Sequence, residues 1–211
     1  MLGAVQATIL GSTYNPWWLA GGVSAANVIA VYSPVTANNF NDSLINLSSP
    51  GINNATSVNN PTHANGTGWS FSGSSNKSVV APSGPPSGGS VLMKVVATGV
   101  GGGSYGRAWE GSNSIFIPYQ NDSPLSLDSQ YPSKIQRFST LAVGAILNRT
   151  AYKNKASYGA FGGSGNLSGG TLYLGNRSAG DRELQGSIAW IAIYSTLTES
   201  QYFSIVDRAP R

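Results

Sequence analysis

Short apolar or β-branched runs alternate along this chain with stretches of Gly, Ser, Asn and Pro. That pattern is all-β. The runs that read as strands are Val28–Tyr32, Trp69–Phe71, Lys77–Ala81, Val91–Thr98, Ser114–Tyr119, Leu141–Leu147, Ala151–Lys153, Thr171–Gly175 and Ser187–Tyr194. Their number and spacing predict a sandwich or jelly roll. In Ser187–Tyr194, regular alternation puts Ile188, Trp190, Ala192 and Tyr194 on one face. Ala189, Ile191 and Ile193 fall on the other. Both faces are apolar, so this strand is expected to be central and covered on both sides. In Val91–Val96 the face carrying Lys94 sits nearer solvent than the face of Val91, Met93 and Val95.

One short helix is expected near the end. Thr198 is its N-cap and Glu199 supplies acid to the first turn. Tyr202, Phe203 and Val206 then share a face. Residues 33–68 hold nine Asn and read as a long polar loop. Pro82–Gly89 reads as a turn or linker and Gly99–Gly106 as a flexible segment. No composition shift divides the chain. Residues 20–211 are expected to form one domain, after an N-terminal extension over residues 1–19.

Composition changes the picture through charge. Only 9% of the 211 residues are charged, against roughly a quarter in an ordinary soluble domain. Neutral groups supply the polarity, with 31 Ser, 12 Thr, 18 Asn and 27 Gly. The net charge of +4 is spread thinly, and its densest group is Arg149, Lys153 and Lys155. A nucleic-acid partner is not expected, because such proteins concentrate Lys and Arg on one face. No apolar run approaches the ~20 residues of a membrane span. The absence of Cys removes disulfides, thiolate metal sites and thiol nucleophiles. The opening MLGAVQATIL has no basic n-region and does not read as a signal peptide. Earlier processing, or release by another route such as lysis of an infected cell, is the expectation that follows.

Two stretches carry a family resemblance. In Thr171–Val206, Leu172, Leu174, Gly175 and Asn176 are followed by Gly186, Ile188, Ile191, Ile193 and Tyr194, then by Leu197 and Thr198. This resembles the closing segment of laminin-G-like, concanavalin A-like lectin/glucanase domains. Ala151–Lys155 occupies the place of that family's hairpin, with Asn154-Lys155 as its turn. Upstream are Ala20-Gly21-Gly22, Ala30, Tyr32, Pro34, Ser43, Asn46, Leu47, Pro50, Gly51, Pro61, Thr62, Gly68, Trp69, Phe71 and Gly73. These resemble a subgroup of the same superfamily met in phage and environmental structural proteins. The resemblance implies a two-sheet antiparallel β-sandwich, the concanavalin A-like jelly roll, with one short C-terminal helix. It does not choose among lectins, adhesion modules, hydrolases and structural proteins.

Candidate chemistry is sparse. Glucanases of this fold carry an E-x-D-x-x-E-like strand, which is missing here. The one close acidic pair, Asp181-Arg182-Glu183, reads as a solvated loop charge pair near Arg177. His63, the only histidine, reads as an exposed loop residue. Asn121-Asp122-Ser123, Asp128 and Asp42 are too dispersed for calcium. No catalytic residue, metal site or cofactor is therefore assigned. Sugar binding is the sharper expectation, because aromatic faces stack on sugar rings while polar groups bond the hydroxyls. Tyr105, Arg107 and Trp109 alternate and would share one strand face, making them the candidate ligand-binding residues. Tyr119 and Tyr131 flank a polar loop. Trp69 and Trp190 read as core. Trp17-Trp18 reads as packing under the sandwich or against a neighbouring subunit. The pattern N-x-S/T occurs at Asn41, Asn46, Asn54, Asn65, Asn76, Asn121, Asn148, Asn166 and Asn176.

The leading expectation is a non-enzymatic structural or display protein of a virion, tail fibre or extracellular filament. Such a protein would self-assemble as a homo-oligomer, particle or filament. The alternative is a carbohydrate-binding adhesion module that recognises a host or surface glycan. A polysaccharide hydrolase or lyase ranks third.

Overall fold

The computed structural model describes residues 15–99, 106–111, 114–116, 118, 125–127, 138–161, 167 and 169–211. The first strands are β1 (Val28–Tyr32), β2 (Thr56–Val58), β3 (Thr62–Ala64), β4 (Gly68–Ser72), β5 (Ser78–Ala81), β6 (Ser90–Ala97) and β7 (Trp109–Glu110). Then come β8 (Ser114–Phe116), β9 (Leu125–Leu127), β10 (Ala142–Leu147), β11 (Thr150–Lys153), β12 (Ala156–Ala160), β13 (Leu172–Leu174) and β14 (Gln185–Tyr194). Two helices join them, α1 (Phe40–Ser43) and α2 (Glu199–Arg208). One sheet runs β12-β11-β10-β6-β14-β4-β3, with β1 also paired to β14. The second runs β2-β5-β13-β7-β8-β9. All the strand ladders among the described residues are antiparallel. The chain is a two-sheet antiparallel β-sandwich with a short C-terminal helix.

β14 organises the molecule. It pairs with β6 along one edge. Its other edge is divided, with β4 taking Gln185–Ile188 and β1 taking Ile191–Tyr194. Ile188, Ile191 and Ile193 enter the core between the sheets, beside Trp69, Met93, Trp109 and Leu174. Ala189, Trp190, Ala192 and Tyr194 enter a second core on the other side, beside Trp17, Leu92, Tyr202 and Ile205. Each large side chain fully buried in this way contributes roughly 1.5–3 kcal/mol. The two-sided burial expected from the sequence is what the structure shows. The alternation itself is not regular. The ladder to β6 shifts between Ile188 and Trp190, a β-bulge that adds one residue. Ile188 therefore faces the inter-sheet core and not the Trp190 side. Gly68 accommodates the bulge. A Cβ there would lie 2.2 Å from the Ile188 carbonyl oxygen, and its φ is +93°.

The second core needs a cover, which α2 and the 3-10 turn Trp17–Gly22 supply. α2 starts where the sequence places it. Thr198 Oγ1 accepts from the Gln201 amide, and the Thr198 amide donates to Gln201 Oε1 at 3.0 Å. This capping box satisfies two donors at the helix start. Trp17 packs on Trp190, ring centroids 4.9 Å apart. Gly21 has φ +70°, and a Cβ there would lie 3.0 Å from Gln201 Cα, so the turn and α2 meet through a glycine. The polar tips of the aromatics are paired. Trp190 Nε1 donates to the Pro210 carbonyl, Tyr194 OH to that of Trp18 and Tyr202 OH to that of Asn154. Lys94, on the face expected to sit nearer solvent, also donates to the Pro210 carbonyl. No described helix is long and apolar enough to cross a membrane.

Residues 33–68 are more ordered than their composition suggests. They hold α1, β2, β3 and a 3-10 turn at Pro34–Thr36. Buried Asn46 acts as a substitute strand for β1. Its Oδ1 accepts from the Val31 amide at 2.9 Å, while the Leu47 amide donates to the Val31 carbonyl. Its Nδ2 donates to the Ile52 carbonyl at 2.9 Å. Trp69 Nε1 donates to Ser43 Oγ at 2.7 Å. Ala20, Ala30, Tyr32, Ser43, Asn46, Trp69 and Phe71, all part of the N-terminal resemblance, are buried. That motif is thus an architectural signature.

Two outcomes follow from these contacts. Asn46→Ala leaves the Val31 amide buried without an acceptor and should cost about 2–3 kcal/mol. Thr198→Ala, which removes only the cap, should cost about 1 kcal/mol. Urea denaturation orders the two. Burial pushes the Tyr32, Tyr194 and Tyr202 phenols far above their ordinary value. The unfolded chain therefore loses these protons first. Stability should be intact below about pH 10 and fall as pH rises beyond it, a trend that thermal melts at increasing pH would record.

Candidate functional site

The outer face of the second sheet carries a cleft. β13 buries Leu172 and Leu174 in the core, so the alternation of the strand turns Tyr173 outward. β7 buries Trp109 and turns Glu110 outward. Tyr173 and Glu110 are register partners across the β13–β7 ladder. Side chains so paired have Cβ atoms about 4.5–5.5 Å apart. Ring and carboxylate therefore stand side by side in a cleft of about 380 Å³, lined by Glu110, Gly111, Thr171, Tyr173 and Ser178.

Hydrogen bonds fix the Glu110 carboxylate. Arg107 Nη1 lies 2.9 Å from Oε1, in an ion pair whose side chains are 15% and 21% exposed. The Ser178 amide donates to Oε2 at 3.1 Å. Ser178 itself is held by the loop around it. Buried Asn176 accepts from the Arg177 and Arg182 amides, each at 2.8 Å, and donates to the Lys77 carbonyl. Arg177 pairs with Asp181 through two nitrogens. The hydrogen bond from this guanidinium holds the exposed Asp181 carboxyl below its ordinary value.

Glu183 departs from the sequence expectation of a solvated loop charge. It is 1% exposed. Its two oxygens accept from the Ser72, Gly73, Ser75 and Lys77 amides and from Ser72 Oγ. The carboxylate thus ties the turn between β4 and β5 to the start of β14. Charge-assisted bonds of this kind are about twice as strong as neutral ones. The sequence signal was faint. The Ser72–Ser75 turn offers amides with no strand partner, and a distant acid answers them.

The three predicted ligand residues do not form one surface. Tyr105 lies outside the described residues. Arg107 turns its guanidinium to Glu110. Trp109 is fully buried and packs edge-on against Phe116 at 4.8 Å. It offers no face to a sugar, because an indole on a strand with one covered face goes to the core. Arg107 joins the fold through a bridge to Glu183, not through the ladder of β7. Arg107 Nε and Trp109 Nε1 are buried without an acceptor among the described residues. Sequence reasoning missed Tyr173, Thr171 and Ser178. Tyr173 was legible as the outward residue between two leucines.

His63 lies on β3, partly buried, with Nε2 2.9 Å from the Pro34 carbonyl oxygen. It is not the exposed loop residue expected. Asp42 joins Asn39 in the cap of α1. Tyr119, Asn121–Ser123, Asp128 and Tyr131 lie outside the described residues. Among the described residues no group of three His, Asp or Glu side chains could hold a metal. Of the N-x-S/T sites, Asn46 and Asn176 are buried, while Asn41, Asn54, Asn65, Asn76 and Asn148 are exposed.

No protein-family model and no curated protein sequence matches the chain. Solved structures do. Domain 4 of AbnA, a GH43 extracellular arabinanase from Geobacillus stearothermophilus, in complex with arabinotriose, superposes with a TM-score of 0.56 at 18% identity. The match covers 85% of this chain and 98% of that one. The fold they share is a two-sheet β-sandwich. A Trypanosoma rangeli sialidase mutant displaying trans-sialidase activity matches at 0.58 and 14% identity, over 87% of this chain and 33% of its own. The botulinum neurotoxin serotype D binding domain matches at 0.54 and 11% identity, over 87% and 51%. The chain thus spans about a third of the sialidase and half of the toxin domain.

The role of Glu183 is open to measurement. Glu183→Gln keeps the shape but replaces one acceptor oxygen by a donor facing amides. It should cost about 3 kcal/mol or more. Amide exchange from Ser72 to Lys77 should accelerate at least ~10-fold. Unchanged protection would show that the carboxylate is not the clasp.

Proposed function

We propose that this chain is a non-catalytic glycan-binding module, and that the Tyr173–Glu110 cleft is its binding site. The observation that carries this reading is a half-exposed aromatic ring held directly beside an immobilised carboxylate in an open cleft. An aromatic ring stacks on the apolar face of a sugar, and a fixed acceptor orients its hydroxyls. Thr171 and Ser178 add hydroxyls. The arabinanase domain of the same fold, in complex with arabinotriose, supports the assignment. Among the described residues Glu110 is the one carboxylate lining the cleft, and glycoside hydrolysis ordinarily requires a pair. That favours binding over hydrolysis.

The expected context is a virion, tail-fibre or extracellular-filament protein that displays this module. Support comes from the neutral Ser/Asn/Gly/Thr composition and the phage-like N-terminal pattern. Size-exclusion and negative-stain imaging test that context. A strictly monomeric protein absent from purified particles would refute it.

Titration with arabinotriose and a glycan array tests the binding reading. Tyr173→Ala should weaken binding at least ~10-fold, as expected for the loss of a stacking ring, with an unchanged melting temperature. Trp109→Ala should instead destabilise the fold by about 3–5 kcal/mol. Binding indifferent to Tyr173→Ala, or steady reducing-end release from polysaccharides, would overturn the proposal.

A further inference from the structure

We infer that the cleft selects uncharged glycans, and that the Arg107–Glu110 ion pair is the element that enforces this choice. The inference rests on the glycan-binding reading above and specifies the ligand class.

Glu110 is matched by Arg107, with Nη1 to Oε1 at 2.9 Å. The loop that forms the cleft wall carries one further cation–anion pair, Arg177 with Asp181, joined through two nitrogens. Each guanidinium is thus already committed to a carboxylate of its own chain. Lys77 and Arg182, the other cations of these segments, are not among the residues lining the cleft. Among the described lining residues, a uronate, sialate or sulfate entering here would meet the Glu110 carboxylate with no free cation to offset it. Like charges at a few ångströms repel, more strongly where water is partly excluded. The Arg107 and Glu110 side chains are 15% and 21% exposed, so solvent screening is reduced.

A sugar hydroxyl meets the opposite situation. It donates and accepts at once. Glu110 presents acceptor lone pairs, and Arg107 and the Ser178 amide hold them in place. The Thr171 and Ser178 hydroxyls complement both functions of a neighbouring hydroxyl. A pre-paired carboxylate loses none of its own compensation on binding a neutral ligand. Its orientation is also settled before the ligand arrives, which lowers the ordering cost of binding.

A glycan array carrying neutral, uronic, sialylated and sulfated oligosaccharides is the test. The strongest ligands should be neutral, and their affinity should change less than ~2-fold between about 50 and about 500 mM NaCl. Glu110→Gln should then weaken the best neutral ligand about tenfold. The same variant frees Arg107, so acidic glycans should gain affinity and narrow or reverse the preference. A purely structural role for Glu110 would lower all ligands together and leave the preference unmoved, which would overturn the inference. Strongest binding to acidic glycans, with steep salt dependence, would overturn it too while leaving the glycan-binding reading standing. Silence across the whole array would remove both.

Discussion

The structure depends on one constraint, that β14 must bury two apolar faces at once. A strand with one apolar face needs a single partner layer. β14 offers three isoleucines to one side and Trp190 with Tyr194 to the other. The second sheet covers the first side. α2 and the Trp17–Gly22 turn cover the second. Remove the helical cover and Trp190 would stand in water. The C-terminal residues are drawn in by the same demand, since the Pro210 carbonyl accepts from both Trp190 and Lys94. The cleft then inherits its position from this layering. With one sheet enclosed between two cores, the outer face of the other is free to carry Tyr173 and Glu110.

Polar groups that other proteins place in surface ion pairs are here placed against the backbone. Asn46 completes the edge of β1, Asn176 closes the loop beside the cleft, and Glu183 gathers the amides of the β4–β5 turn. Each meets the need of a buried backbone group for a partner where no strand reaches it. The scarcity of charge and the abundance of Asn are then two sides of one design. Irregular segments are held by side-chain amides, and few carboxylates remain for chemistry.

Much of the fold was legible from the chain. Two-sided burial of Ser187–Tyr194, the Thr198 cap and the Asn154 turn are local patterns, and the structure repeats them. The site was less legible for a physical reason. Alternation identifies which residues share a face but not which face is covered. Arg107 and Trp109 were therefore assigned to solvent when Trp109 belonged to the core. Tyr173 follows the same rule and was readable between Leu172 and Leu174, once those two are known to face inward. Glu183 left only a faint signal, because its partners are more than a hundred residues away in sequence.

The bulge at β14 has a consequence for how such a chain can vary. The faces on either side of Ala189 remain in phase without it, since Ile188 and Trp190 already point to opposite cores. Ala189 and Trp190 both face the second core, so the bulge sets two consecutive residues on one side of the strand. Gly68 lies against the same bulge, with no room for a Cβ beside the Ile188 carbonyl. Strand length at one site and side-chain absence at the other, 121 positions earlier, are therefore physically coupled. The positive φ of Gly68 adds a backbone demand for glycine to this steric one.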